Sequence, residues 1–151
     1  MFMKKVIFTL FLATMLQGCG GDSGEDVQHE ITEEIQNEIS SDDQMLLTAF
    51  QNKENNLQVN GKGTVTVLLE TDTSGTQHQK FIIQLASGQT LLVSHNIDLA
   101  PMINSLKIGD AIEFYGEYEW NDEGGLIHWT HNDPSGEHID GWLFHDGLFY
   151  G

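Results

Sequence analysis

Residues 112–120 read Ile112-Glu113-Phe114-Tyr115-Gly116-Glu117-Tyr118-Glu119-Trp120, and the fold turns on how that stretch is read. Ile112, Phe114, Tyr118 and Trp120 fall on one side, with Gly116 between them. Glu113, Tyr115, Glu117 and Glu119 fall on the other. Successive side chains of a strand point to opposite faces, so this pattern predicts a half-buried antiparallel strand with an acidic outer face. Asn121-Asp122-Glu123-Gly124-Gly125 then supplies turn residues, and Leu126–His131 reads as the returning strand. Asp133-Pro134-Ser135-Gly136 turns the chain again. Gly141–Tyr150 reads as an aromatic hairpin around Asp146-Gly147, placed across a barrel mouth or as an added edge.

Upstream of that strand, Leu99, Met102, Ile103 and Leu106 recur at helical spacing, with Asp98 as a cap, Pro101 in the first turn and Gly109 after the end. They predict a helix. Before it the period is two. Val65, Val67 and Leu69 alternate with Thr64, Thr66 and Leu68 in a first strand, in which Gly61 and Gly63 permit a bend or bulge. Phe81, Ile83 and Leu85 form the inward set of a second, and Thr90–His95 makes a third. Three strands, one helix and two strands predict a mainly β domain over residues 57–151. The order resembles the OB-fold: a small five-stranded antiparallel barrel with one helix between strands 3 and 4, plus the C-terminal hairpin. Closure removes exposed strand edges, which favours a barrel over the rival, a curved antiparallel sheet with a helix on one side.

Residues 19–56 read as an acidic tether with short helices. Gly20–Asp26 is a solvated spacer by composition, and Ile31, Ile35 and Ile39 form a thin apolar stripe among glutamates. Ser41-Asp42-Asp43-Gln44 has the form of a capping box. It opens a second helix, with Met45, Leu46, Ala49 and Phe50 on one face, which is expected to pack on the domain.

Residues 1–18 have the form of a signal peptide: Lys4-Lys5, an apolar run Val6–Met15, then Leu16-Gln17-Gly18 before Cys19. Leu-x-Gly-Cys resembles the bacterial lipoprotein lipobox. The resemblance implies cleavage before Cys19 and acylation of that residue, with an ordinary signal peptide and a chance cysteine as the alternative. Gly20 rather than Asp after the cysteine resembles lipoproteins of the Gram-negative outer membrane. The implied address is therefore the cell envelope, lipid-anchored and facing the periplasm. Cys19 is the single cysteine, so no internal disulfide can form.

The chain holds 6 lysines and no arginine against 23 acidic residues, a net charge of −17. A chain beginning at Cys19 keeps four of those lysines and all 23 acids, which is −19. Such a surface repels phosphate backbones, so nucleic acid is excluded as a partner. Cationic ligands, metal ions and basic envelope proteins remain compatible with it.

Phe114–Asn121 (F-Y-G-E-Y-E-W-N) and Trp129–Asp133 (W-T-H-N-D), in that order, resemble the bacterial family catalogued as domain of unknown function 3465, often small secreted proteins or lipoproteins. The resemblance covers roughly Leu57 to the C-terminus. In that family the second motif reads W-T-H-H-D, and Asn132 stands here in place of the second histidine. The family implies no activity.

The chemistry is therefore read from the residues. His128, His131, His138 and His145 accompany Asp133 and Asp140 within 18 positions. Imidazole and carboxylate are the ligand set for zinc or copper, and His131, Asp133 and His138 around the Pro134 turn are the candidate metal ligands. His128 and His131, three apart, would point to opposite faces of a regular strand. The alternative is that these are hydrogen-bonded turn and surface histidines with no cofactor. Trp129 and Trp142 flank the same turn and are candidates for stacking a ligand, packing being the alternative. Glu117 and Glu119 could be paired catalytic carboxylates, but an outer-face position makes them a solvated surface, and no nucleophile elbow or phosphate loop is present. The expectation is a non-catalytic envelope protein with a binding or interaction domain. A metal-binding protein using the His/Asp run is the alternative, a metal-assisted hydrolase being its catalytic version.

Overall fold

The structure is a computed structural model and describes residues 39–72 and 75–151. The expected signal peptide over 1–18, Cys19 and the Ile31/Ile35 stripe lie outside the described residues. The elements are a helix α1 (Ser41–Asn52) and seven strands: β1 (Leu57–Leu68), β2 (His78–Leu85), β3 (Thr90–Asn96), β4 (Ala111–Glu119), β5 (Leu126–His128), β6 (Trp142–His145) and β7 (Leu148–Tyr150). Neighbours run β1-β2-β3-β5-β4, and β4 pairs back onto β1, which closes a five-stranded barrel. β6 adds to β4 at Tyr115↔Trp142, and β7 adds to β6. Among the described residues no helix is long and apolar enough to cross a membrane.

The alternation in 112–120 does what its period dictates. Ile112, Phe114 and Tyr118 are fully buried, and the barrel interior is completed by Val59, Val65, Phe81, Ile83, Leu91, Val93 and Ile127. Gly116 is required where β4 meets β5. A Cβ there would stand 2.5 Å from the carbonyl oxygen of His128 and 2.9 Å from Thr130 Cγ2. Trp120 lies at the rim, stacked on Phe50 at 6.5 Å.

Three expectations are corrected. The barrel is mixed rather than antiparallel throughout, because β3 and β5 run parallel at Leu92↔Leu126 and Val93↔Ile127. No helix forms between the third and fourth strands. The backbone of residues 97–110 is claimed by groups outside it: Gln79 donates to the Ile103 carbonyl at 3.0 Å and accepts from the Ile103 N–H at 2.9 Å. Asp98 accepts from the Gln77 N–H, and Gly109 donates to the Val65 carbonyl. Pro101 withholds an N–H as well. Ala100, Ile103 and Leu106 are buried all the same, so the three-residue spacing serves an irregular segment that closes one end of the barrel. Lastly, Val67 and Leu69 do not share the buried face of Val65. β1 bulges between Val65 and Val67, the alternation breaks there, and both are exposed.

The single helix among the described residues precedes β1. Ser40, not Ser41, is its N-cap, accepting from the Asp43 N–H at 3.1 Å, and Lys53 closes it in the left-handed region. Leu46 and Ala49 join the core, while Met45 stays exposed. Asp43 is buried and accepts from the Ser87 N–H, tying the helix to the β2–β3 turn.

Candidate functional site

The predicted return strand stops at His128 because Trp129 takes φ +51°. An aromatic residue rarely adopts the left-handed region, and such strain persists only where the surroundings enforce it. The turn throws the Trp129 ring outward and opens the loop 129–141, which closes again where the Gly141 N–H donates to the His131 carbonyl at 2.9 Å. Within the loop, Asp133 organises the turn. Its carboxylate accepts from the backbone N–H groups of Ser135, Glu137 and His138 and from the Ser135 hydroxyl. Those bonds, the Ser135 pair foremost, hold its carboxyl well below the usual range.

The turn delivers His138 onto Trp129. The two rings lie parallel, 4.0 Å apart with 6° between their planes. His138 Nε2 donates to Glu117 Oε2 at 2.9 Å and Nδ1 donates to the Ile139 carbonyl at 2.8 Å. Both nitrogens therefore face acceptors, and only the imidazolium satisfies both. Burial opposes that charge, but the bonds to Glu117 and Ile139 outweigh it and raise the pKa above the ordinary histidine value. The other oxygen of Glu117 meets His128 Nε2 at 3.1 Å. Glu117 is thus clasped between two imidazoles, and its side chain is only 16% exposed.

Glu117 and His128 face each other in the β4–β5 register. Glu119 follows on the same outer face, and donor atoms of Glu117, Glu119 and His128 all lie within 4.8 Å of one another. On the other side of Trp129 lies an open cleft of about 280 Å³. His78, Ser94, Leu99, His128, Trp129 and His131 line it. Beneath it His95 is fully buried, taking a bond from the Thr130 hydroxyl at 2.8 Å and donating to the Pro101 carbonyl at 3.3 Å. Burial pushes its pKa down to about 4, so this imidazole is neutral. A larger hollow of about 410 Å³ opens at the start of α1, between Ser40, Lys62 and Gln84, and carries no aromatic ring or imidazole.

The three residues proposed from sequence as metal ligands are placed as follows. His131 is buried and spends Nδ1 on the Asn132 carbonyl. Asp133 is occupied by its own turn, and His138 turns its Nε2 to Glu117. His145 is buried elsewhere, bonded to Asp110 at 2.9 Å, and Asp140 accepts from the Asp133 N–H. Of the two tryptophans, Trp129 forms the cleft wall. Trp142 lies on β6, 6.3 Å from Tyr115 and edge-on to Phe149 at 5.1 Å. Sequence reading set Glu117 and Glu119 aside as a solvated outer face and did not single out His78. The signal available for two of them was the hairpin register, which sets Glu117 opposite His128.

A family profile described as "Protein of unknown function (DUF3465)" matches residues 31–151. The chain belongs to the DUF3465 family. The match reaches further upstream than the two motifs at Phe114 and Trp129, and it takes in α1, as the burial of Leu46 and Ala49 would require of a single folding unit. No curated protein matches the chain. Within this DUF3465 chain the second motif builds the candidate site: Trp129 makes the turn, Thr130 holds His95, and Asp133 positions His138.

Proposed function

We propose that this chain is a non-catalytic cell-envelope lipoprotein, anchored in the outer membrane through acylated Cys19, whose OB-like barrel binds a ligand in the cleft at Trp129. The strand order β1-β2-β3-β5-β4 closing on β1, with β3 and β5 parallel, supports the OB-like reading. OB barrels present ligands on the face of their second and third strands. The cleft lies there, with His78 from β2 and Ser94 from β3.

The observation that carries the reading is the conformation of Trp129. A strained backbone holds an indole half-exposed between the cleft and His138. A residue serving only to fill a core needs no such turn. The net charge of −17 favours a cationic ligand or a basic segment of another envelope protein and opposes nucleic acid.

The test is photo-crosslinking in living cells. A photoreactive residue replaces Leu99, which is exposed on the cleft rim, or Ile108, which is exposed beside the start of β4. A discrete adduct at position 99 and none at 108 is expected. No adduct at 99, or the same adducts at both, contradicts the cleft as the binding surface.

A further inference from the structure

We propose that Glu117, Glu119 and His128 form a binding site for a divalent transition metal ion, best suited to zinc, on the outer face where β4 meets β5. The argument begins with spacing. Ligand atoms arranged tetrahedrally around zinc at 2.0–2.1 Å lie roughly 3.3 Å apart. His128 Nε2 and Glu117 Oε1 are 3.1 Å apart, and the three residues offer donor atoms all within 4.8 Å. Small side-chain rotations bring such a set to coordinating distance.

The second argument is electrostatic. Among the described residues the Glu119 carboxylate makes no hydrogen bond or ion pair, yet it stands beside the Glu117 carboxylate on one strand face. Two carboxylates this close repel, and a cation between them relieves the repulsion. The chain carries few lysines to supply one.

The third is orientation. Ligating carboxylates are themselves held by hydrogen bonds from outside the coordination sphere. His138 holds Glu117 Oε2 in this way and leaves Oε1 directed at His128. Trp129 in turn holds His138, so the support reaches back to the strained turn. His128 is about one-third exposed, which leaves the remaining coordination positions to water or to a donor entering from the cleft that His128 also lines. The mixed donor set of one imidazole and two carboxylates suits zinc better than a soft ion such as Cu(I). This site is distinct from a cluster of His131, Asp133 and His138. It rests on the binding-surface reading above only through the shared His128.

Isothermal titration of zinc into the metal-stripped full chain tests it. One equivalent is expected to bind with micromolar affinity. Glu119→Gln and His128→Ala are each expected to weaken binding by about tenfold or more. Glu119→Gln is isosteric on an outer face, and an unaltered melting curve for it separates lost ligation from lost folding. X-ray absorption at the zinc edge is expected to show a mixed nitrogen and oxygen shell. Absence of binding, or binding that Glu119→Gln and His128→Ala leave intact, overturns the site. Crosslinking at position 99 depends on neither variant, so its outcome distinguishes failure of the metal site from failure of the cleft.

Discussion

Gly116 and His95 show how much a single position can determine. A methyl group at 116 would press on the backbone of β5, where nothing can rotate away. Gly116→Ala is therefore expected to cost on the order of 1–3 kcal/mol as an overpacked contact. Phe114→Ala, which empties a fully buried site, is expected to cost on the order of 3–5 kcal/mol. A denaturant titration that finds either change neutral contradicts the β4–β5 packing or the inward face of β4. His95 makes stability depend on pH. Its folded pKa of about 4 lies below the ordinary value, so the unfolded chain binds a proton that the folded chain refuses. The stabilisation from this group is complete above pH ~6.5 and is lost as pH falls toward 4, by up to about 3 kcal/mol. The difference in unfolding free energy between the native chain and His95→Gln should follow that window. A difference that is flat from pH 7 to pH 4 contradicts a buried neutral imidazole. The motif W-T-H-N-D made these five residues conspicuous. It did not reveal that Trp129 would leave the strand, because a positive φ is imposed by the loop that Gly141 closes and has no local marker.

Elements were legible where one face met one environment. The strands β2, β3 and β4 and the hairpin at Asp146-Gly147 follow their alternation and turn residues, and that turn holds both residues at positive φ. Residues 97–110 show the limit. Their apolar spacing satisfied a helical pattern, but Gln79, 24 positions before Ile103, takes both backbone groups of that residue. Long-range hydrogen bonds of this kind are invisible to periodicity. β1 is a second case, since the bulge after Val65 takes Val67 off the core face. α1 is the converse, a weakly amphipathic helix that the barrel recruits through Leu46 and Ala49. Leu46→Ala is expected to destabilise the whole domain by about 2–5 kcal/mol, because Leu46 is fully buried with the barrel core. If unfolding of the barrel, followed by the fluorescence of its tryptophans, is unmoved by this change, α1 is an appendage and not part of the core.

At the scale of the whole molecule, the proposed anchor at Cys19 would hold an acidic barrel domain at a membrane surface. Acylation at Cys19 predicts that Cys19→Ser releases the protein from the detergent phase and abolishes lipid labelling. A variant that stays membrane-associated and labelled contradicts the lipobox. The binding claim has a more direct readout, because the three tryptophans occupy three different settings. Trp129 walls the cleft, Trp142 lies in the aromatic hairpin, and Trp120 packs on α1 with its Nε1 buried. In a ¹⁵N-labelled chain each gives its own indole N–H resonance. Titrated with a soluble cell-envelope extract, the Trp129 indole is predicted to shift or broaden saturably while those of Trp120 and Trp142 hold still. A saturable change at Trp142 or Trp120 with Trp129 unmoved, or no change at any of the three, contradicts the cleft at Trp129 as the functional surface of this barrel.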